Sequence, residues 1–203
     1  DRLTGGAGIG TADYSASGAA VNAVLGGTGS SGDAEGDVLA DIENLIGSRF
    51  GDVLVGDGAV NVLSGGAGDD RLVLNGGADR LDGGVGVDVA DFSTSVSAVA
   101  ADLATGTASG GVSLVAIEGL IGSAFDDVLN GDAGRNLLVG GAGADVIDGR
   151  DGLDTADYSG STAAVEVDLA LSVQGGTGDA VGDRLLGIEA LVGSGFDDVL
   201  AGV

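Results

Sequence analysis

Acidic residues that could hold a cation recur in this chain every nine positions. In GGAGADVIDGRDGLDTAD (140–157) two nines follow one another, GGAGADVID and GRDGLDTAD, each with glycine at places one and four and aspartate at place six. Six nines fill 38–91 and put Glu43, Asp52, Asn61, Asp70, Asp79 and Asp88 at place six, with Leu45, Leu54, Leu63, Leu72, Leu81 and Ala90 at place eight. Five more fill 113–157, with Glu118, Asp127, Asn136, Asp145 and Asp154 at place six and Leu120, Leu129, Leu138, Ile147 and Ala156 at place eight. A third series opens at Arg184, with Glu189 and Asp198 at place six. The chain has no His and no Cys. Carboxylates and backbone carbonyls then remain as ligands, a hard-oxygen set that selects Ca²⁺ over Zn²⁺ or copper. Cages with six or more ligands also suit Ca²⁺ better than the smaller Mg²⁺.

To act together these acids need an element that returns every second nine to the same side. An aliphatic residue at place eight, between two variable ones, makes a strand of about three residues with one side chain pointing inward. Glycines at places one, two and four turn the chain back, where φ is positive or the backbone passes close to something. Two nines make one coil, coils stack, and the place-eight column fills a narrow core that no single repeat could bury. Nines i and i+2 then share a column, with layers about 4.8 Å apart. At that spacing carboxylates repel one another strongly unless a cation lies between them. The expected fold is all-β, a right-handed parallel β-roll or β-helix solenoid.

The regular blocks are interrupted. The pattern predicts the end of a truncated block at 1–13, an insert coil at 14–37, a roll block at 38–91, a second insert at 92–112, a roll block at 113–157, a third insert at 158–183 and the start of a further block at 184–203. The inserts open on Tyr14-Ser15, Phe92-Ser93 and Tyr158-Ser159, each preceded by Asp, and each contains an apolar stretch with strand character (AVNAVL, AVAADL, AVEVDL). Tyr14, Phe92 and Tyr158 read as core plugs, and Asp13, Asp91 and Asp157 as structural caps. Asp69, Asp126 and Asp197 at place five read as solvated surface charge, and Arg71 and Arg80 as exposed rim residues. Both ends of the chain fall in mid-pattern, which predicts a piece of something longer.

Composition narrows the partners. Thirty-two acidic residues against seven basic ones give a net charge of −25, which excludes nucleic acid and anionic membrane surfaces and favours cations. No apolar run approaches the ~18 residues of a membrane span, so no membrane insertion is expected. Without His, Lys or Cys there is no catalytic triad, no P-loop and no thiol or amine nucleophile. The sequence predicts no enzyme activity within this window.

GGAGDDRLV (65–73), GGVGVDVAD (83–91) and GGAGADVID (140–148) resemble the GGxGxDxUx nonapeptide of RTX calcium-binding β-rolls, the hemolysin-type repeat. The resemblance covers most nines of the three blocks and GGAGIGTAD (5–13). It implies several Ca²⁺ ions, each between turns i and i+2, bound by place-six side chains and turn carbonyls. Carried onto these positions, it implies the pairs Asp52 with Asp70, Asp70 with Asp88, and Asp127 with Asp145. Asn61 with Asp79, and Asn136 with Asp154, should bind more weakly for want of a charge. The carbonyls implied are those of Gly65, Ala67, Gly83, Val85, Gly140 and Ala142. Phe at place four (Phe50, Phe125, Phe196) departs from the pattern and should reshape those turns, and Gly10 lacks the carboxylate. Glu43, Glu118 and Glu189, without turn glycines, read as start-of-block features.

The resemblance further implies one-step export from a bacterium as an unfolded chain and Ca²⁺-dependent folding outside it, as a secreted or cell-surface segment. The function expected is a structural stalk or a surface-layer or adhesin segment, with lateral self-association or attachment to a larger secreted chain left open. The alternative is a C-terminal accessory module of a secreted epimerase, protease or lipase. An ice- or glycan-binding face ranks last, since Thr is scattered and aromatics are few.

Overall fold

The computed structural model describes residues 1–202. Short strands of mostly three residues dominate, and among the described residues the only helical turns are three 3-10 turns at Gly32–Ala34, Ser109–Gly111 and Gly178–Ala180. No helix there is long and apolar enough to cross a membrane. The chain forms two compact units, one of 1–91 with 110–117, the other of 92–109 with 118–203.

In the first unit, Thr11–Asp13, Asn44–Ile46, Val62–Ala67, Arg80–Val85 and Val112–Val115 lie side by side in that order, all parallel. A second parallel series runs Asn22–Val24, Val53–Val55, Arg71–Val73 and Val89–Asp91. Register follows the nines, since Leu45 faces Leu63 and Leu63 faces Leu81, while Leu54 faces Leu72 and Leu72 faces Ala90. Every one of these leucines is fully buried. Such a side chain contributes about 1.5–3 kcal/mol on leaving water, and these columns run the length of the roll block.

The second unit repeats the plan. Ala100–Asp102, Val128–Asn130, Val146–Asp148 and Arg184–Leu186 form one parallel series. Gly119–Ile121, Leu137–Val139, Thr155–Asp157 and Ala190–Val192 form the other. Leu129 and Ile147 stack in the first, Leu138 and Ala156 in the second, all of them fully buried. This is an all-β parallel β-roll, with coils of two nines as the periodicity predicts.

One difference from expectation concerns strand length. Val62–Ala67 and Arg80–Val85 run to six residues, through the first three places of the following nine, because Gly66 pairs with Gly84 and Ala67 with Val85. Here the glycine-rich segments extend the sheet before they turn.

Candidate metal centre

Each place-six acid uses one oxygen in the same way. The N–H of a place-six residue donates to Oδ1 of the place-six acid one coil later: Asp52 to Asp70 at 2.7 Å, Asp70 to Asp88 at 2.8 Å and Asn61 to Asp79 at 2.8 Å. In the second unit Asp127 donates to Asp145 and Asn136 to Asp154, both at 2.8 Å. The structure thus brings together the place-six pairs read from the sequence, each joined by a hydrogen bond from backbone to side chain.

The second oxygen is left open. Asp70, Asp79, Asp145 and Asp154 are at most 2 % exposed, and their Oδ2 atoms have no hydrogen-bond partner. A buried charge without a partner is costly. Accordingly burial, with neighbouring carboxylates adding to it, pushes the Asp70 and Asp145 carboxyls up to about 7. Burial likewise raises Asp79 to about 6 and Asp154 above the usual carboxylate range.

Around these oxygens lies more oxygen. A methyl group placed on Gly65 would collide with Asp70 Oδ2 and come within 2.7 Å of the Gly83 carbonyl oxygen. On Gly122 it would strike Asp127 Oδ2 and the Gly140 carbonyl, and on Gly149 Asp154 Oδ2 and the Gly187 carbonyl. Place one is glycine to leave a cradle for the carboxylate of its own nine, and none of these three has a positive φ. The left-handed conformations fall at places two and four instead, for example Gly66 (φ 111°), Gly68 (106°), Gly141 (98°) and Gly143 (142°).

Of the carbonyls named from the sequence, those of Gly65, Gly83 and Gly140 lie against the cradles of Gly47, Gly65 and Gly122. The Val85 carbonyl accepts the Gly68 N–H at 2.9 Å, Ala67 lies in the paired strand and Ala142 is exposed. Among the described residues no three Asp or Glu side chains gather as a metal cluster. A cation here would draw on backbone oxygens as much as on carboxylates. Orphaned buried carboxylate oxygens, the cradles and an all-oxygen donor set together fit Ca²⁺.

A family model described as the RTX calcium-binding nonapeptide repeat (4 copies) matches residues 40–72, 55–90 and 121–156. These segments are RTX calcium-binding nonapeptide repeats. No curated protein matches the chain. RTX repeats are calcium-binding structural units, typical of secreted bacterial proteins. Asp70, Asp79, Asp145 and Asp154, whose Oδ2 atoms are orphaned, all fall within the matched RTX segments.

The RTX rungs are not alike. The Asp52 carboxylate is closed by Ser48, whose N–H reaches Oδ2 and whose Oγ donates to Oδ1 at 2.9 Å. Asp127 is closed in the same way by Ser123, and Asp198 Oδ1 accepts from Ser194 Oγ at 2.6 Å. These are the turns with phenylalanine at place four. Their reshaping comes from the place-two serine, whose Oγ also accepts the N–H of Phe50, Phe125 or Phe196. Asn61 and Asn136 are closed differently. Each Oδ1 accepts the N–H of the place-two aspartate at 2.8 Å, while Nδ2 donates to the carbonyl of Glu43 or Glu118. The neutral amide brings N–H donors that a carboxylate lacks.

Two functional acids escape the nonapeptide count. Asp37 and Asp183 close the first and third inserts at the step before a strand, where place six would fall. Asp183 Oδ1 accepts the Asp145 N–H at 2.8 Å and its Oδ2 accepts the Tyr158 hydroxyl, also at 2.8 Å. Asp37 Oδ2 accepts the Tyr14 hydroxyl at 3.1 Å. Burial raises Asp183 to about 6 and, with the aspartate beside it, Tyr14 to about 12 and Tyr158 further still. The tyrosines are buried plugs, as expected, that also carry a hydroxyl to an acid. GDAEGD (32–37) and GDAVGD (178–183) were the available signal; the middle insert has Phe92 and Val112 at the equivalent positions and so lacks both groups.

Smaller readings sharpen too. Asp69 and Asp126 are exposed, yet each accepts a backbone N–H from the coil above, that of Val87 or Ala144, at 2.9 Å. Arg71 is half exposed, and its Nε donates to the buried Asp91 at 2.7 Å.

Proposed function

We propose that this chain is a calcium-loaded structural segment of a secreted or cell-surface bacterial protein, a stalk or surface-layer or adhesin element that folds on binding Ca²⁺. The orphaned Oδ2 atoms of Asp70, Asp79, Asp145 and Asp154 carry this reading. They are expected ligands, with Asp88 and the carbonyls of Gly65, Gly83, Gly140 and Gly187 beside them. Bound calcium supplies the positive charge that lets these buried oxygens lie against one another. The chain's own residues do the rest: glycine cradles leave the space, Oδ1 fixes each carboxylate to the coil before it, and the leucine column holds the coils in register. Asp52, Asp127 and Asn136 serve chiefly as hydrogen-bonded rungs next to the open ones.

With a net charge of −25 and 43 glycines, the chain without cations faces strong self-repulsion and a large ordering entropy. Ion-binding free energy then becomes folding free energy. The test is far-UV circular dichroism of the chain titrated with CaCl₂ and then EDTA. Strand signal should appear with Ca²⁺ and vanish with EDTA; a chain equally folded in EDTA would sink the proposal.

A further inference from the structure

The last nine of the second roll block has an arginine where the repeat has its second glycine. Arg150 stands at place two of GRDGLDTAD. Its backbone is left-handed (φ 69°), a conformation that suits glycine and strains a residue with a Cβ. The side chain accounts for its presence there. Nη1 donates to the Gly131 carbonyl, one coil back, at 2.7 Å. Nη1 and Nη2 also clasp the two oxygens of Asp102, at 3.0 and 2.5 Å, and the Arg150 side chain is only 34 % exposed. Asp102 belongs to the second insert, at the end of the strand Ala100–Asp102. The strand register sets Asp102 beside Asn130 and Asn130 beside Asp148. Arg150, two residues on from Asp148, therefore reaches back across two layers, about 10 Å.

The first unit has the same position without the reach. Val24, Val55 and Val73 form the matching ladder, and Asn75, two residues beyond Val73, is again at place two of its nine. Asn75 Nδ2 donates to the Gly56 carbonyl at 2.9 Å, the same bond to the coil before. The amide stops there, and the insert residue at the far end, Val24, has no carboxylate to offer. From this contrast we infer that Arg150 is a latch, a cation built into the chain that locks the second insert onto the roll. The pair is bidentate, which sets it apart from ordinary surface ion pairs. Asp102 Oδ1 also accepts the Thr105 N–H at 3.0 Å, so the latch fixes the turn of the insert as well. Its partners lie 48 residues apart in sequence. The nines at 122–130 and 140–148 must stack before they can meet, so the latch closes only over a finished stretch of roll.

Hydrogen exchange of the full chain in saturating Ca²⁺, read peptide by peptide by mass spectrometry, tests the latch. The insert strand is held to the roll by bonds such as Leu103 N–H to the Asn130 carbonyl at 3.0 Å, which exchange reports directly. Arg150→Asn copies Asn75, tolerates the left-handed backbone and leaves a donor for the Gly131 carbonyl. Arg150→Gly relieves the backbone altogether. Both should speed exchange across 100–106 by about tenfold or more, with Leu137–Val139 and Val146–Asp148 as protected as in the parent. Asp102→Asn should act in the same way, and combining it with Arg150→Asn should add nothing further. Unchanged exchange across 100–106 in Arg150→Asn or Arg150→Gly overturns the latch. So does an additive double variant, or an acceleration spread evenly over the whole second unit.

Discussion

Asp52 and Asp70 are successive rungs of one column, 18 residues apart, and they meet the same electrostatic problem differently. Asp52 is surrounded by donors: Val21 N–H, Ser48 N–H and Ser48 Oγ. Asp70 has one donor, Asp52 N–H, and an oxygen left bare in the core. The same contrast separates Asp127 from Asp145. A column can therefore be closed by hydrogen bonds that the chain always carries or left open for a cation that comes from outside. On the proposed reading, closed rungs need no Ca²⁺ for their own carboxylates, and open ones make folding of the chain conditional on it.

The broadest way to break this contrast is to withdraw the cation. EDTA should abolish the cooperative thermal transition of the chain, and CaCl₂ should restore it, read by circular dichroism. Next comes a swap of acids. Asp70→Asn should weaken Ca²⁺ binding by tenfold or more in a calorimetric titration, because it removes the charge of an orphaned buried oxygen. Asp52→Asn should do the reverse, with little change in affinity and a loss of about 1–3 kcal/mol in saturating Ca²⁺ from weakened bonds to Ser48. Equal calcium losses in both variants would erase the distinction.

Tyr158→Phe strips Asp183 of its hydroxyl donor and should cost about 1–3 kcal/mol by chemical denaturation. The double change Tyr158→Phe with Asp183→Val imitates the apolar middle insert and should recover part of that loss, a coupling that a mutant cycle measures. Smallest is the effect of pH in calcium-free buffer. Asp70 and Asp145 near 7, and Asp79 and Asp183 near 6, lie above the unfolded value of about 4. Their contribution is full below about pH 4, falls as pH rises and is gone above about 7. Asp102 and Asp198, whose carboxyls are lowered by Arg150 and Ser194 respectively, run the other way and lose stability as pH falls below about 4. Any strand signal left in EDTA, read by circular dichroism, should therefore be highest at about pH 4–5 and decline towards neutrality.

The periodicity of nine made the columns legible because a place-eight leucine has one way to point and place six follows it round the coil. Asp52 and Asp70 looked equivalent for the same reason: a period reports position and says nothing of the donor that reaches a carboxylate. Ser48 and Ser123 at place two carry that information, and a serine among glycines is a quiet signal. Asp37 and Asp183 were hidden by insert length, since their place in the stack is set by a tyrosine hydroxyl and a 3-10 turn, outside the count of nines. The glycines were assigned the right task in bulk, but which of them needs space and which needs a left-handed φ depends on the neighbouring coil.

The bonds from place-six N–H groups to place-six side chains all point one way. An N–H of the earlier coil meets a carboxylate of the later one, at Asp52 and Asp70 as at Asn136 and Asp154. The stack therefore has a grain. Within each unit the place-six column has backbone donors on its C-terminal side and side-chain acceptors on its N-terminal side.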